Sequence, residues 1–282
     1  MTALTFFVVT LLGSVGAGIL GALLGLGGGI IVIPLLTLGL GVNIHYAIGA
    51  SIVSVIATSS GAAATYVRDR ITNLRVGMFL EMGTTVGAIS GAYLAGVIST
   101  RLLYIIFGVV LAYSGVVMFR KRKSEVPVSV PDSRLATVLR MHSSYYDQAL
   151  GRQVPYKVAG VLPGLVLMYI AGVVSGLLGI GSGALKVPAM DIAMHLPIKV
   201  SSATSNFMIG VTAAASAGIY FERGDIQAII AAPVAIGVLL GAMLGTKLLV
   251  RMRGTVIRQI FVLVLVVICA EMIGRGLGVT VP

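Results

Sequence analysis

The residues able to do chemistry in this largely apolar chain gather in and just after one stretch, GIGSGALKVP at Gly179–Pro188. Ser182 and Lys186 lie inside it, Asp191 follows, and Thr204, Ser205 and Asn206 stand farther on. Hydroxyls and an amide donate hydrogen bonds without bringing a fixed charge, and lysine adds a positive one, so the set suits an oxyanion. Gly181 and Gly183 interrupt any helix here, since each glycine in a helix interior is roughly 1 kcal/mol worse than alanine. A helix that restarts after such a break presents unpaired N–H groups and a positive dipole end, which attract an anion.

The same stretch occurs earlier as GLGGGIIVIP at Gly25–Pro34, 154 residues upstream, with Gly27, Gly28 and Gly29 in a row. There Gly28 stands for Ser182, Val32 for Lys186, Thr37 for Asp191, and Ala50, Ser51 and Ile52 for Thr204, Ser205 and Asn206. The expected substrate site is therefore Gly27, Gly28, Gly29, Ser51, Gly181, Ser182, Gly183, Lys186, Thr204, Ser205 and Asn206, with the second copy supplying most specificity. Each has a plainer reading. The hydroxyls can bond helix backbone, Lys186 can pair with Asp191 five residues on or snorkel to a head group, and Asn206 needs partners wherever it is buried. Glu81 and Asp191 are candidate proton-coupling carboxylates, an interhelical hydrogen bond being the alternative for Glu81.

The offset holds along the chain without a gap: Gly18 falls on Gly172, Thr58 on Thr212, Tyr66 on Tyr220, and Gly83, Gly87 and Gly91 on Gly237, Gly241 and Gly245. One unit of four or five helices has been duplicated. The residues are 57% hydrophobic and only 10% charged, and the mean hydropathy is +1.05. This excludes a soluble enzyme. Apolar runs near 3–24, 44–67, 76–98, 102–119, 158–178, 200–221, 226–250 and 255–274 approach or exceed the ~20 residues that span a bilayer. The N-terminal MTALTFFVVTLLG lacks a basic leader region and reads as the first span. The glycine triplets at four-residue spacing suit close helix crossings.

Residues 1–120 read as the first repeat, 121–157 as a cytoplasmic linker and 158–282 as the second repeat. The linker follows the basic run Arg120–Lys123 and carries Pro127 and Pro131; Leu135, Val138, Leu139, His142, Tyr146 and Leu150 then suggest an amphipathic helix on the membrane surface. Net charge is +11, but the basic residues flank apolar spans, so they report topology and lipid contact and not nucleic acid. The loop after Tyr66 is basic and its counterpart after Tyr220, Glu222-Arg223-Gly224-Asp225, is net negative. If basic loops face the cytoplasm, the copies point in opposite directions, which needs an odd number of crossings per repeat. The expected fold is an all-α polytopic membrane protein of two inverted repeats, each of about five transmembrane or broken helices.

No GxxxxGK[ST], HExxH or CxxC motif is present, and the one cysteine, Cys269, excludes a thiolate cluster, so no cofactor or metal is expected. The doubled glycine motif, the pair Gly49-Ala50-Ser51-Ile52 and Ala203-Thr204-Ser205-Asn206, and the paired glycine-ladder helices resemble the TauE/SafE family of membrane permeases over nearly the whole chain apart from the linker. The resemblance implies a multi-pass protein of the bacterial inner (plasma) membrane that exports sulfite or organosulfonates such as sulfoacetate. Its expected partners are that small anion and the lipid bilayer; a homodimer is a further candidate, the alternative being that packing within one subunit consumes the glycine ladders. Two rivals stay open: a transporter or channel for another solute or cation, and a membrane accessory protein without transport.

Overall fold

The computed structural model describes residues 3–120 and 133–277. The expected basic run Lys121–Lys123 and prolines Pro127 and Pro131 lie outside them. The first repeat comprises α1 (Ala3–Leu24), α2 (Gly29–Pro34), α3 (Ile44–Arg68), α4 (Leu74–Ala95) and α5 (Thr100–Arg120). After the linker come α7 (Val161–Leu178), α8 (Gly183–Pro188), α9 (Ile198–Glu222), α10 (Ala228–Arg251) and α11 (Gly254–Gly276), following the linker's own α6 (Arg134–Val138). Helices α2 and α8 each run on into one π-helical turn, Leu35–Gly39 and Ala189–Ala193. The cause is the proline closing each short helix: without an N–H it breaks the i→i−4 ladder, and the chain relaxes into wider turns.

Five described helices are long and apolar enough to cross a membrane: Leu4–Leu24, Ile44–Arg68, Val161–Leu178, Ala228–Arg251 and Thr255–Gly274. Large apolar side chains such as Met78, Val86, Leu162, Ile229 and Leu240 point outward, as expected where the solvent is lipid. The short broken segments double back. The Ala159 amide donates to Met194 O at 3.2 Å, and Gly160 abuts the Ala193 carbonyl, so the turn after α8 ends beside the start of α7. The second repeat therefore opens on a helical hairpin whose two ends lie together, and in both repeats three long helices follow the short broken segment.

The glycine ladders lie between the repeats of one chain. A Cβ at Gly87 or Gly91 would run into the α7 carbonyls of Tyr169 or Val173, and one at Gly241 or Gly245 into the α1 carbonyls of Val15 or Ile19. Here glycine is required by the close approach of two backbones. Counterpart helices also touch. Ser59 of α3 donates to Asn206 O of α9 at 2.6 Å, while Val55 and Ile209 meet over Gly27 and Gly181. On α5 and α11, Gly108 packs beside Ile273 and Gly115 beside Leu265, so that pair runs antiparallel.

The linker differs from the amphipathic helix read from its sequence. Among its described residues helix is confined to α6, and an antiparallel hairpin follows, β1 (Ser143–Asp147) with β2 (Arg152–Tyr156). Tyr145, Tyr146 and Val154 favour extended backbone, Pro155 cannot sit inside a helix, and Gly151 takes φ +63° at the turn. Asp147 closes the turn by accepting from the Ala149 and Leu150 amides, and it forms a buried ion pair with Lys199 at 2.7 Å. The Asn73 side chain donates to Met141 O and to the Tyr156 hydroxyl, at 2.8 and 3.0 Å. Residue His142 is structural, its Nδ1 accepting from the Val158 amide. Among the described residues the fold is thus helical with one small sheet on the linker.

Candidate substrate site at the paired glycine breaks

The two glycine breaks are built alike and lie against each other. Gly27 and Gly28 take φ +79° and +72°, and Gly181 and Ser182 take +71° and +57°. The left-handed turn is what lets the chain reverse from α1 into α2 and from α7 into α8; Ser182 adopts it despite its side chain. A Cβ at Gly183 would strike the Gly25 carbonyl, and one at Gly29 would meet Ser51 Oγ, so neither break has room to spare. The first bonded amides of α2 are Ile31 and Val32, both to Gly28 O, and those of α8 are Leu185 and Lys186, both to Ser182 O. The N–H groups of Gly29, Ile30, Gly183 and Ala184 precede those ladders.

Two serines related by the repeat make matching bonds. Ser51 Oγ donates to Gly179 O and Ser205 Oγ to Gly25 O, each at 2.7 Å, so each repeat holds the helix end of the other. Asn206 Nδ2 donates to Ala22 O at 2.7 Å and to Ser202 O at 3.1 Å. Its Oδ1 is buried with no hydrogen-bond partner among the described residues. The matched tyrosines do similar work: Tyr66 donates to Ala22 O at 3.1 Å and Tyr220 to Gly176 O at 2.6 Å. These donors complete the carbonyl ends of α1 and α7, which would otherwise be buried and unpaired. The plainer reading of the hydroxyls, bonding to helix backbone, thus describes this conformation.

Charge enters on one side only. Lys186, fully buried on the first turns of α8, donates to Thr212 Oγ1 at 2.5 Å and pairs with Glu81 Oε2 of α4 at 3.4 Å. Thr212 donates to Glu81 Oε1 at 2.5 Å, which also accepts from Thr85 at 3.2 Å. The sequence offered Asp191 as a partner for Lys186; the fold supplies Glu81 from the other repeat. Asp191 itself is buried on the π-helical turn. At the repeat-related positions stand Val32, Thr58 and Ala235, so the related cluster has the threonine without the charges.

The remaining expected residues divide. Ser182 lies at the break and donates to its neighbour Gly181 O at 2.7 Å. Thr204 is turned away, accepting from the Asn73 amide at 3.0 Å where α4 begins, because successive helical residues are ~100° apart and Ser205 faces the break. Thr212 was not singled out from the sequence. Its signal was there: Thr58 and Thr212 match across the repeats inside apolar runs. An apolar cavity of about 450 Å³ lies on another face of α8, lined by residues including Val109, Tyr113, Leu167, Leu185 and Pro188, and offers no charged group.

A family model described as "Sulfite exporter TauE/SafE" matches residues 10–272. The chain is 26% identical over 281 residues to the "Probable membrane transporter protein YunE" of Bacillus subtilis (strain 168), covering 97% of this chain and 99% of that one. It is 27% identical over 258 residues to a "Probable membrane transporter protein" of Xylella fastidiosa (strain 9a5c), covering 90% of each. No solved structure matches the chain.

Proposed function

The chain belongs to the TauE/SafE family of membrane transporters, and from that premise we propose that it exports a sulfur oxyanion, sulfite or an organosulfonate such as sulfoacetate, across the bacterial plasma membrane. The anion binds between the two glycine breaks. Its oxygens take the N–H groups at the starts of α2 and α8 and the donors Ser51, Ser182, Ser205, Asn206 and Lys186. The observation that carries this reading is the reciprocal pair of bonds from Ser51 and Ser205 to the Gly179 and Gly25 carbonyls. Each carbonyl oxygen occupies a donor that an oxyanion oxygen would take over, and exchanging one for the other loosens one repeat from the other. That is the step alternating access needs.

The repeats are inverted in the membrane. Support comes from the antiparallel contact of α5 with α11 and from the distribution of charge. Arg75 donates to Arg140 O of the linker and Lys199 pairs with Asp147, which gathers basic segments at one end of α4. Arg223 reaches Ala92 O at the other end of α4, beside Asp225. Under the positive-inside rule the linker end is cytoplasmic. A negative interior then drives a monoanion outward by about 2.3 kcal/mol per 100 mV. Of the two expected proton-coupling carboxylates, Glu81 is engaged by Lys186, and Asp191, buried on the π-helical turn after α8, is the one assigned to carry a proton with it.

Purified protein in liposomes, with an imposed potassium-diffusion potential, should move sulfite or sulfoacetate faster than taurine, which carries no net charge. Absence of flux for every sulfur oxyanion refutes the function.

A further inference from the structure

A lysine with no exposed surface, neutralised by a carboxylate from the opposite repeat, poses a question that anion binding alone does not answer: what balances Lys186 when the carrier is empty. Resting on the export reading above, we infer that Glu81 is a tethered stand-in for the transported anion. It occupies Lys186 while the site is empty, yields it when the oxyanion arrives, and so allows the empty protein to change its facing without cargo.

Four observations carry this. The pair spans the two repeats, α4 of the first and α8 of the second, so it bears on the interface that has to move. The direct contact is long, 3.4 Å, whereas Thr212 bridges the two at 2.5 Å on each side. A hydroxyl that accepts from the ammonium and donates to the carboxylate can keep one partner while the other is exchanged. The two members differ in access: the Lys186 side chain is 0% exposed and that of Glu81 is 9%, so the carboxylate sits on the outer side of the pair. Thr85, one turn along α4, already donates to Glu81 Oε1 at 3.2 Å and gives the displaced carboxylate a donor to keep.

The charge balance follows. Empty, the site holds one positive and one negative group. With Glu81 removed, an empty carrier must move a bare ammonium through a low-dielectric interface, and a carrier loaded with a monoanion is balanced. Loss of Glu81 should thus spare the loaded crossing and block the empty return.

The test compares two fluxes of labelled sulfite, buffered on the acid side of neutrality so that the hydrogen sulfite monoanion predominates, in proteoliposomes clamped at zero potential with valinomycin and equal potassium. One is exchange, with the same anion on both sides; the other is net efflux into anion-free buffer. Wild type should run both. Glu81→Gln should keep exchange while net efflux falls at least about tenfold, its exchange also reporting that it folds. Glu81→Asp should restore part of the net efflux, and Lys186→Met should lose both fluxes. The stand-in role is overturned if Glu81→Gln shows net efflux as fast as its exchange, or loses both fluxes together while remaining monodisperse and inserted. If wild type moves no sulfite, the export reading fails first for that anion and takes this inference with it. Wild-type flux with an uncoupled Glu81→Gln result removes the stand-in role alone.

Discussion

Removing Lys186 alone should harm the protein more than removing Lys186 and Glu81 together. At the 3.4 Å separation, Coulomb attraction at an effective dielectric of about 20 is ~5 kcal/mol. Breaking a buried pair by deleting one member typically costs about 3–5 kcal/mol, since the survivor is left buried and uncompensated or must take up a proton. Lys186→Met should therefore destabilise by about that amount. In Lys186→Met with Glu81→Met no charge remains, and the Thr212 hydroxyl, which loses Glu81 as acceptor, has Met208 O to donate to at 3.1 Å. Replacing a whole buried pair by apolar groups of similar volume is often neutral or stabilising. The double variant should fall within about 1 kcal/mol of wild type. Thermal melts of detergent-solubilised protein followed by circular dichroism, arranged as a double-mutant cycle, measure the coupling. If the double variant loses the sum of the two single losses, the pair is not coupled and the account of Lys186 fails.

Cysteines at Arg75 and Gln227, both exposed, should react with an impermeant reagent from opposite faces of the membrane; reaction from one face refutes inversion. Gly28→Val should abolish flux but not membrane insertion, because φ is +72° there and Thr58 Oγ1 would sit 3.2 Å from the new Cβ. Asn206→Leu should do the same by removing a donor from Ala22 O, and normal flux in both variants puts the site elsewhere. On the linker, burial and then the Asp147 carboxylate push the Tyr145 phenol above its usual value, and burial pushes Tyr156 the same way. Groups whose folded pKa is raised stabilise below the unfolded value and lose that contribution as pH rises through the folded one. Docking of the hairpin should hence be unaffected near neutrality and weaken above about pH 10, read as faster proteolysis between 143 and 156; cleavage independent of alkaline pH refutes it.

The repeat was legible because duplication preserves both spacing and residue type at places where backbones meet. The breaks at Gly27–Gly29 and Gly181–Gly183, the two short proline-ended segments and the glycine ladders all follow from residues whose backbone roles have few alternatives. The linker was not. Leu135, Val138, Leu139 and Leu150 have helical spacing, but extended backbone wins because Asp147 finds Lys199 and Asn73 finds Tyr156, contacts invisible to local periodicity. The partner of Lys186 was hidden for the same reason. Asp191 is near in sequence, whereas Glu81 becomes near only once α4 packs against the second repeat. Thr204 shows the limit of reading donors in a row: in a helix, neighbours such as Thr204 and Ser205 face different elements.

The one-sided charge also has a physical logic within a two-fold frame. Val32 is buried at the position related to Lys186, and Ala235, half-buried, stands at that related to Glu81. A lysine at Val32 would need its own carboxylate at Ala235, and both would have to fit where the chain now packs aliphatic side chains. Without that carboxylate, a second ammonium would stand in the same low-dielectric interface with nothing to balance it. Confining the charges to one of the two related clusters leaves the reciprocal bonds of Ser51 and Ser205 to the other repeat's helix end unaltered. It also leaves one ammonium to be satisfied in that interface. On the proposed reading, the symmetric bonds govern the motion and the single pair sets the cargo: one oxyanion, recognised mainly by the second repeat.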